Sequence, residues 1–173
     1  MSIKVGDALE VLEATPGTLL GLLGGVSDGW ADATDGDGWS ARDVLNHLIH
    51  GERTDWVPRA RIIAESGESR PFDSFVRDAL AGAHRDQPIG QLVDEFARLR
   101  AAGLEALRNE VLATTPLEAS GIHPELGRVT LGELIATWAV HDLEHVGQIS
   151  AAMAQRYRSE VGPWLAYLAV LRP

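Results

Sequence analysis

The residues best equipped for chemistry are His141 and His145, set four apart in the run His141-Asp142-Leu143-Glu144-His145. On a helix, positions four apart differ by only ~40° in direction and one turn in height, so both imidazoles leave one face and can share one ion. The same helix carries an apolar stripe, Leu131, Leu134, Trp138, then the two histidine positions, then Ile149 and Ala152, at steps of three and four. The rings therefore stand where apolar side chains would, facing a helical interior, and each needs a polar partner there. A lone histidine on such a stripe is ordinarily a hydrogen-bonded core residue, whereas a pair at this spacing reads equally well as a metal-binding edge.

A tetrahedral ion needs a third protein ligand, and a catalytic site leaves the fourth position to water or substrate. The helix that follows Ser40 offers His47 and His50. His47 falls ~60° beyond the apolar sector of Val44, Leu45, Leu48 and Ile62, and His50 falls ~120° beyond it, so periodicity favours His47 without deciding between them. His84 and His123 sit in turn-rich connections, where a solvent-exposed role is the default reading and the lining of a pocket a lesser alternative. Asp142 and Glu144 flank the midline of the histidine pair at ~80° on either side, and are the candidates to orient an imidazole or move a proton. The default reading of both is as charges at the edge of a packed helix. The pair also spells H-x-x-E-H, the inverzincin peptidase signature with Glu144 as general base. Those enzymes need a carboxylate ligand well downstream, and only Glu160 follows. A Ser-His-Asp hydrolase has no G-x-S-x-G elbow to stand on.

The elements that must position these residues are helical. Val5 to Leu22 carries apolar residues at helical spacing, with Thr15-Pro16 reading as an N-cap and first-turn proline that divide it into a short and a longer helix. After the glycine-rich, acidic stretch from Gly24 to Gly38, Ser40 opens a helix with Asp43 three residues on, a capping box with a shorter acid. That helix is expected to run to about Ser66 with a kink near Pro58. Residues 67–88 read as a connection with a little helix over Phe72 to Leu80. Ile89 to Leu112 forms the third long helix, Thr114 to Arg128 is turn-rich, and Thr130 with Glu133 caps a fourth that runs to about Tyr157. Val161 to Leu171 reads as a short last helix, and no segment alternates as a strand should. The prediction is an all-α single domain over residues 1–173, a four-helix bundle with additional short helices.

Composition narrows the function. At 173 residues and 45% hydrophobic, the chain can bury one substantial core. It has no cysteine, which removes disulfides, thiolate ligands and a cysteine nucleophile, so any thiol chemistry must use an external thiol. A formal net charge of −10 opposes binding to a polyphosphate backbone, and nucleic acid is not an expected partner. No apolar run reaches the ~20 residues of a membrane span, and no basic-then-apolar leader is visible, which predicts a soluble cytoplasmic protein without a membrane partner. The five tryptophans, Trp30, Trp39, Trp56, Trp138 and Trp164, read as core material before they read as an interface.

Taken together, these segments resemble the DinB/YfiT-like metalloenzyme family. The resemblance covers nearly the whole chain and rests on Trp39-Ser40, Asp43-Val44-Leu45-Asn46-His47-Leu48, Leu134-Ile135-Ala136 and the run from His141 to Ile149, with Gly121 to Gly127 typical of one branch. It aligns the family's first histidine with His47, giving His47, His141 and His145 as metal ligands. It implies a four-helix bundle, often dimeric, holding a divalent ion such as zinc or nickel. Activities known in the family include transfer of low-molecular-weight thiols and thiol-dependent isomerisation. A small-molecule substrate, met either by an activated thiol or by water, is thus the expected business of the site, and a non-catalytic metal-binding or dimerisation module is the alternative.

Overall fold

The computed structural model describes residues 4–34, 38–76, 79 and 83–171. Helix α1 spans Val5–Leu23 without interruption, so the expected division at Thr15-Pro16 does not occur. Thr15 does not cap: its Oγ1 donates to the Val11 carbonyl one turn back, at 2.9 Å. Pro16 has no N–H to offer the Leu12 carbonyl, and a side chain from another helix takes that place, since Arg100 Nη1 donates to Leu12 O at 2.9 Å. A proline normally costly inside a helix is thereby converted into a docking point between helices.

A single turn of helix, α2 (Asp28–Ala31), precedes α3 (Ala41–Thr54). The start of α3 is fixed by the Ser40–Asp43 capping box read in the sequence. The long helix expected to reach Ser66 is broken at Asp55, and α4 (Trp56–Ser66) follows at once. The break lies one turn before Pro58 because the proline ring collides with the carbonyl four residues back, at Thr54, and supplies no N–H for it. Among the described residues, the connection that follows holds a 3₁₀ turn, Gly67–Ser69. Of the little helix expected over Phe72 to Leu80, Phe72–Val76 is irregular, and residues 77, 78 and 80 lie outside the described residues.

Helix α5 (Ile89–Ala106) ends in a wider π-type turn, Leu107–Val111. The turn-rich segment contains a hairpin that the sequence reading lacked: β1 (Ser120–His123) and β2 (Gly127–Thr130) pair antiparallel, with Ser120 opposite Thr130 and His123 opposite Gly127. Its tight end uses the positive φ of Gly127, 76°. The Phe72 amide donates to the Ile122 carbonyl at 2.9 Å, tying the preceding connection to the hairpin. The Thr130–Glu133 capping box then launches α6 (Leu131–Ala154). Beyond it the expected last helix resolves into two 3₁₀ pieces, Gly162–Tyr167 and Ala169–Leu171.

The four long elements make the bundle, with α5 and α6 each lying against both α1 and α3. Its core is divided in two. One apolar cluster gathers Leu12, Trp56, Leu104, Leu131 and Trp138, and the other gathers Leu19, Leu45, Leu48, Phe96 and Ile149. Glu52 from α3, Arg100 from α5 and Asp142 from α6 form one buried polar group, joined to α1 through the Leu12 carbonyl. Of the tryptophans, Trp56 and Trp138 are core residues with rings stacked 5.7 Å apart, whereas Trp164 is 71% exposed and does not belong to the core. Among the described residues no helix is long and apolar enough to cross a membrane.

Candidate metal centre

Helices α3 and α6 bring His47, His141 and His145 together. His141 Nε2 lies 3.1 Å from His47 Nε2 and 3.0 Å from His145 Nε2, and all three nitrogens fall within 4.8 Å of one another. His47 and His145 are 6% and 4% exposed, while His141 is half-buried at the open side. His145 Nδ1 lies 2.7 Å from Gln148 Oε1, one turn further along α6. An amide oxygen only accepts, so Nδ1 carries the ring proton and Nε2 presents its lone pair inward. That leaves no consistent pattern of linear hydrogen bonds through the shared His141 Nε2. A proton on it serves only one of its two neighbours, whereas a single cation satisfies all three lone pairs at once. Two nitrogens ~2.05 Å from a tetrahedral ion stand ~3.3 Å apart, so rings moving outward by a few tenths of an ångström would accept it. The donor set fits a divalent borderline ion.

Aromatic edges hold the rings. Trp56 meets His141 edge-on at 5.0 Å between centroids, Trp39 lies 5.1 Å from His47, and Phe75 meets His47 edge-on at 5.4 Å. A cleft of about 450 Å³ opens beside His47 and His141, walled by α4, the hairpin and the first half of α6. A family model of the DinB superfamily matches residues 11–149, which contain all three histidines.

The chain belongs to the DinB superfamily.

Its fold is that of YfiT from Bacillus subtilis, described as a probable metal-dependent hydrolase with an unusual four-helix bundle topology. The two superpose with a TM-score of 0.73 at 17% sequence identity, over 93% of this chain and 90% of that one. No curated protein sequence matches this DinB-superfamily chain significantly.

The other sequence candidates lie elsewhere. Asp142 is fully buried, yet it faces Arg100, with Arg100 Nη1 and Nη2 donating to its two oxygens at 2.5 and 2.9 Å. It occupies the centre of the buried stripe, which displaces His141 to the margin. Glu144 is exposed, as is Glu160, the downstream acid that a peptidase reading would need. His50 is half-buried against Phe75, and burial followed by the charge of Arg53 lowers its pKa. The His84 carbonyl accepts from Arg42, and His123 lines the cleft.

Three functional features escaped the sequence reading. Arg100 spends all five N–H donors in the core: on Asp142, on Leu12 O, and on Glu52 Oε1 through Nε at 3.1 Å and Nη2 at 2.8 Å. Trp138 Nε1 also donates to Glu52 Oε1, at 3.0 Å. With one guanidinium against two carboxylates, burial first and then Asp142 push the Glu52 pKa above the usual carboxylate range. The signal was an arginine on the apolar stripe of α5, four residues from both Phe96 and Leu104. Gln148 was visible as the residue one turn beyond His145. Asp55 and Arg59 form a buried i,i+4 pair on the cleft, 2.6 Å from Oδ1 to Nε, and burial pushes the Asp55 pKa up to about 6 against the pull of Arg59.

Proposed function

We propose that this chain is a metal-dependent enzyme acting on a small molecule bound in the cleft, with His47, His141 and His145 holding one divalent ion, zinc or nickel, through Nε2. The observation that carries this reading is the convergence of three Nε2 atoms, one with its tautomer set by Gln148, beside a cleft large enough for a substrate. Such an ion, when bound, supplies Lewis acidity and lowers the pKa of a ligated water or thiol. The protein's own residues do the rest. Gln148 keeps His145 in the ligating tautomer, and Trp56 and Phe75 fix the rings and exclude water from the apolar side. Neither Asp142 nor Glu144 is placed to move a proton in the cleft, since one is bound to Arg100 and the other faces solvent.

Water is the favoured nucleophile, because the structural neighbour YfiT is described as a hydrolase. A low-molecular-weight thiol in the same position gives the second reading, favoured by a chain with no cysteine of its own. Elemental analysis of the purified protein is expected to give about one divalent ion per chain, lost in His141→Ala; a metal-free protein unaffected by that change would refute the site. Turnover of ester and amide panels by metal-loaded protein without added thiol supports hydrolysis, and turnover of an electrophile such as monobromobimane only with thiol supports transfer. A metal-loaded protein inert to both panels would make it a binding module.

A further inference from the structure

The cleft beside the three histidines has a second, separate chemical feature, a buried arginine paired with Asp55. Arg59 lines it while only 7% exposed, and its guanidinium sits over the Phe72 ring, 5.4 Å from the centroid. Its Nε is ion-paired with Asp55 Oδ1 at 2.6 Å, with the N–H poorly aligned on that oxygen. Neither Nη nitrogen donates to any described residue. Beyond the Asp55 ion pair, the Nη donors of this buried guanidinium meet no described acceptor, and a buried donor without an acceptor costs free energy that folding normally avoids. Arg100 in the same protein spends all five. The difference is that Arg59 borders open space.

The surroundings define what would complete it. His123 also lines the cleft, and its Nδ1 accepts the Glu125 and Leu126 amides at 3.1 and 3.2 Å, which leaves the ring proton on Nε2 as a further donor. The cleft's own acids are already engaged or peripheral. Asp55 is paired with Arg59, Glu133 accepts the Thr130 amide and hydroxyl with Oε2, and Glu125 is exposed at the rim. Trp56, Phe72, Phe75 and Leu134 supply apolar walls.

We infer that Arg59 is the recognition residue for a carboxylate on the substrate, so that the cleft takes an organic acid with an apolar body. A planar guanidinium matches a carboxylate with two parallel N–H donors, giving both affinity and a fixed orientation. This deepens the proposed function by naming the substrate class of the same cleft, and it stands on residues other than the three histidines.

A carboxylate would also bind a metal ion directly, so the test uses EDTA-treated protein, where success or failure is independent of the metal reading. Three probes of one shape are titrated: 3-phenylpropanoate, its neutral amide and the corresponding amine, 3-phenylpropylamine. The propanoate is expected to bind at least tenfold more tightly than the amide and to shift the Arg59 Nε–H resonance, which the amide leaves in place. Arg59→Met is expected to bring the two affinities together, and Arg59→Lys to keep part of the preference. Should Arg59→Met fail to fold, the resonance shift in the unaltered protein still decides. Equal affinities, tightest binding of the amine, no detectable binding of the propanoate, or a preference that survives Arg59→Met would each overturn the inference.

Discussion

Replacing Arg100 by methionine is the most direct test of the layer that divides the core. The side chain is 1% exposed, and its removal strands both oxygens of fully buried Asp142 and leaves Glu52 with the single donor Trp138 Nε1. Glu52 can relieve part of this by taking a proton, toward which burial already pushes it. Asp142 loses two charge-assisted bonds and keeps its burial. Breaking a buried pair by deleting one partner costs about 3–5 kcal/mol, which at ~2–4 °C per kcal/mol for a chain of this size lowers Tm by roughly 6–20 °C. Urea unfolding followed by tryptophan fluorescence, with EDTA present so that ion binding does not mask the loss, measures it. The same physics predicts an asymmetry. A triple variant, Arg100→Met with Glu52→Leu and Asp142→Leu, removes all the charge at once and is expected to recover most of the stability. If Arg100→Met lies within about 1 kcal/mol of the wild type at unchanged m-value, the layer is not the structural element argued above.

Three other outcomes follow from local geometry. Gln148→Leu leaves all three rings but frees the His145 tautomer, and is expected to weaken ion affinity by about 10–100-fold in a competition titration against a chelating dye. Because the folded pKa of Asp55 is raised from 3.8 to about 6, the folded state holds the proton more tightly than the unfolded state. This contribution makes stability fall as pH rises between those values, by roughly 2–3 kcal/mol, and the slope should vanish in Asp55→Asn melts taken across that range. The two glycines Gly103 and Gly121 should respond oppositely to alanine. A Cβ at Gly103 would meet its nearest atoms, Glu52 Oε2 and Val57 Cγ2, at an ordinary 3.5 Å, so Gly103→Ala should stabilise by about 0.5–1 kcal/mol. At Gly121 it would stand 2.7 Å from Phe72 Cε1 and 3.0 Å from Ile63 Cγ1, so Gly121→Ala should cost about 1–3 kcal/mol in a thermal melt.

What the sequence made legible was local. The Ser40–Asp43 and Thr130–Glu133 boxes involve residues three apart, and both recur in the structure as read. The His141–His145 spacing is local too. The convergence of His47 on that pair is not, and periodicity alone favoured it only modestly over His50 until family resemblance chose. The hairpin was missed because strands of four residues give alternation too little length to register, and because it is tied to Phe72, about 50 residues before its partner Ile122. Pro58 signalled a disruption, but the break falls where the clash is felt, one turn earlier. Thr15-Pro16 signalled a helix start and produced none, because the freed carbonyl of Leu12 finds Arg100 on another helix.

These non-local features act on the same two helices as the metal centre. His47 and Glu52 lie five residues apart on α3, and His141 and Asp142 are consecutive on α6. Consecutive helical residues point ~100° apart, so a helix that sends Asp142 to the buried Arg100 necessarily turns His141 toward the margin where the cleft opens. Glu52 and Asp142 meet one rigid guanidinium, which fixes the azimuth of α3 and α6 relative to each other within hydrogen-bond tolerance. Apolar contacts alone tolerate small rotations far better than a fork of directional bonds does. The three nitrogens that converge to within 4.8 Å therefore stand on two helices whose relative rotation a buried charge layer restrains. Asp142, which the sequence offered either to orient an imidazole or to move a proton, is held by Arg100 beside His141.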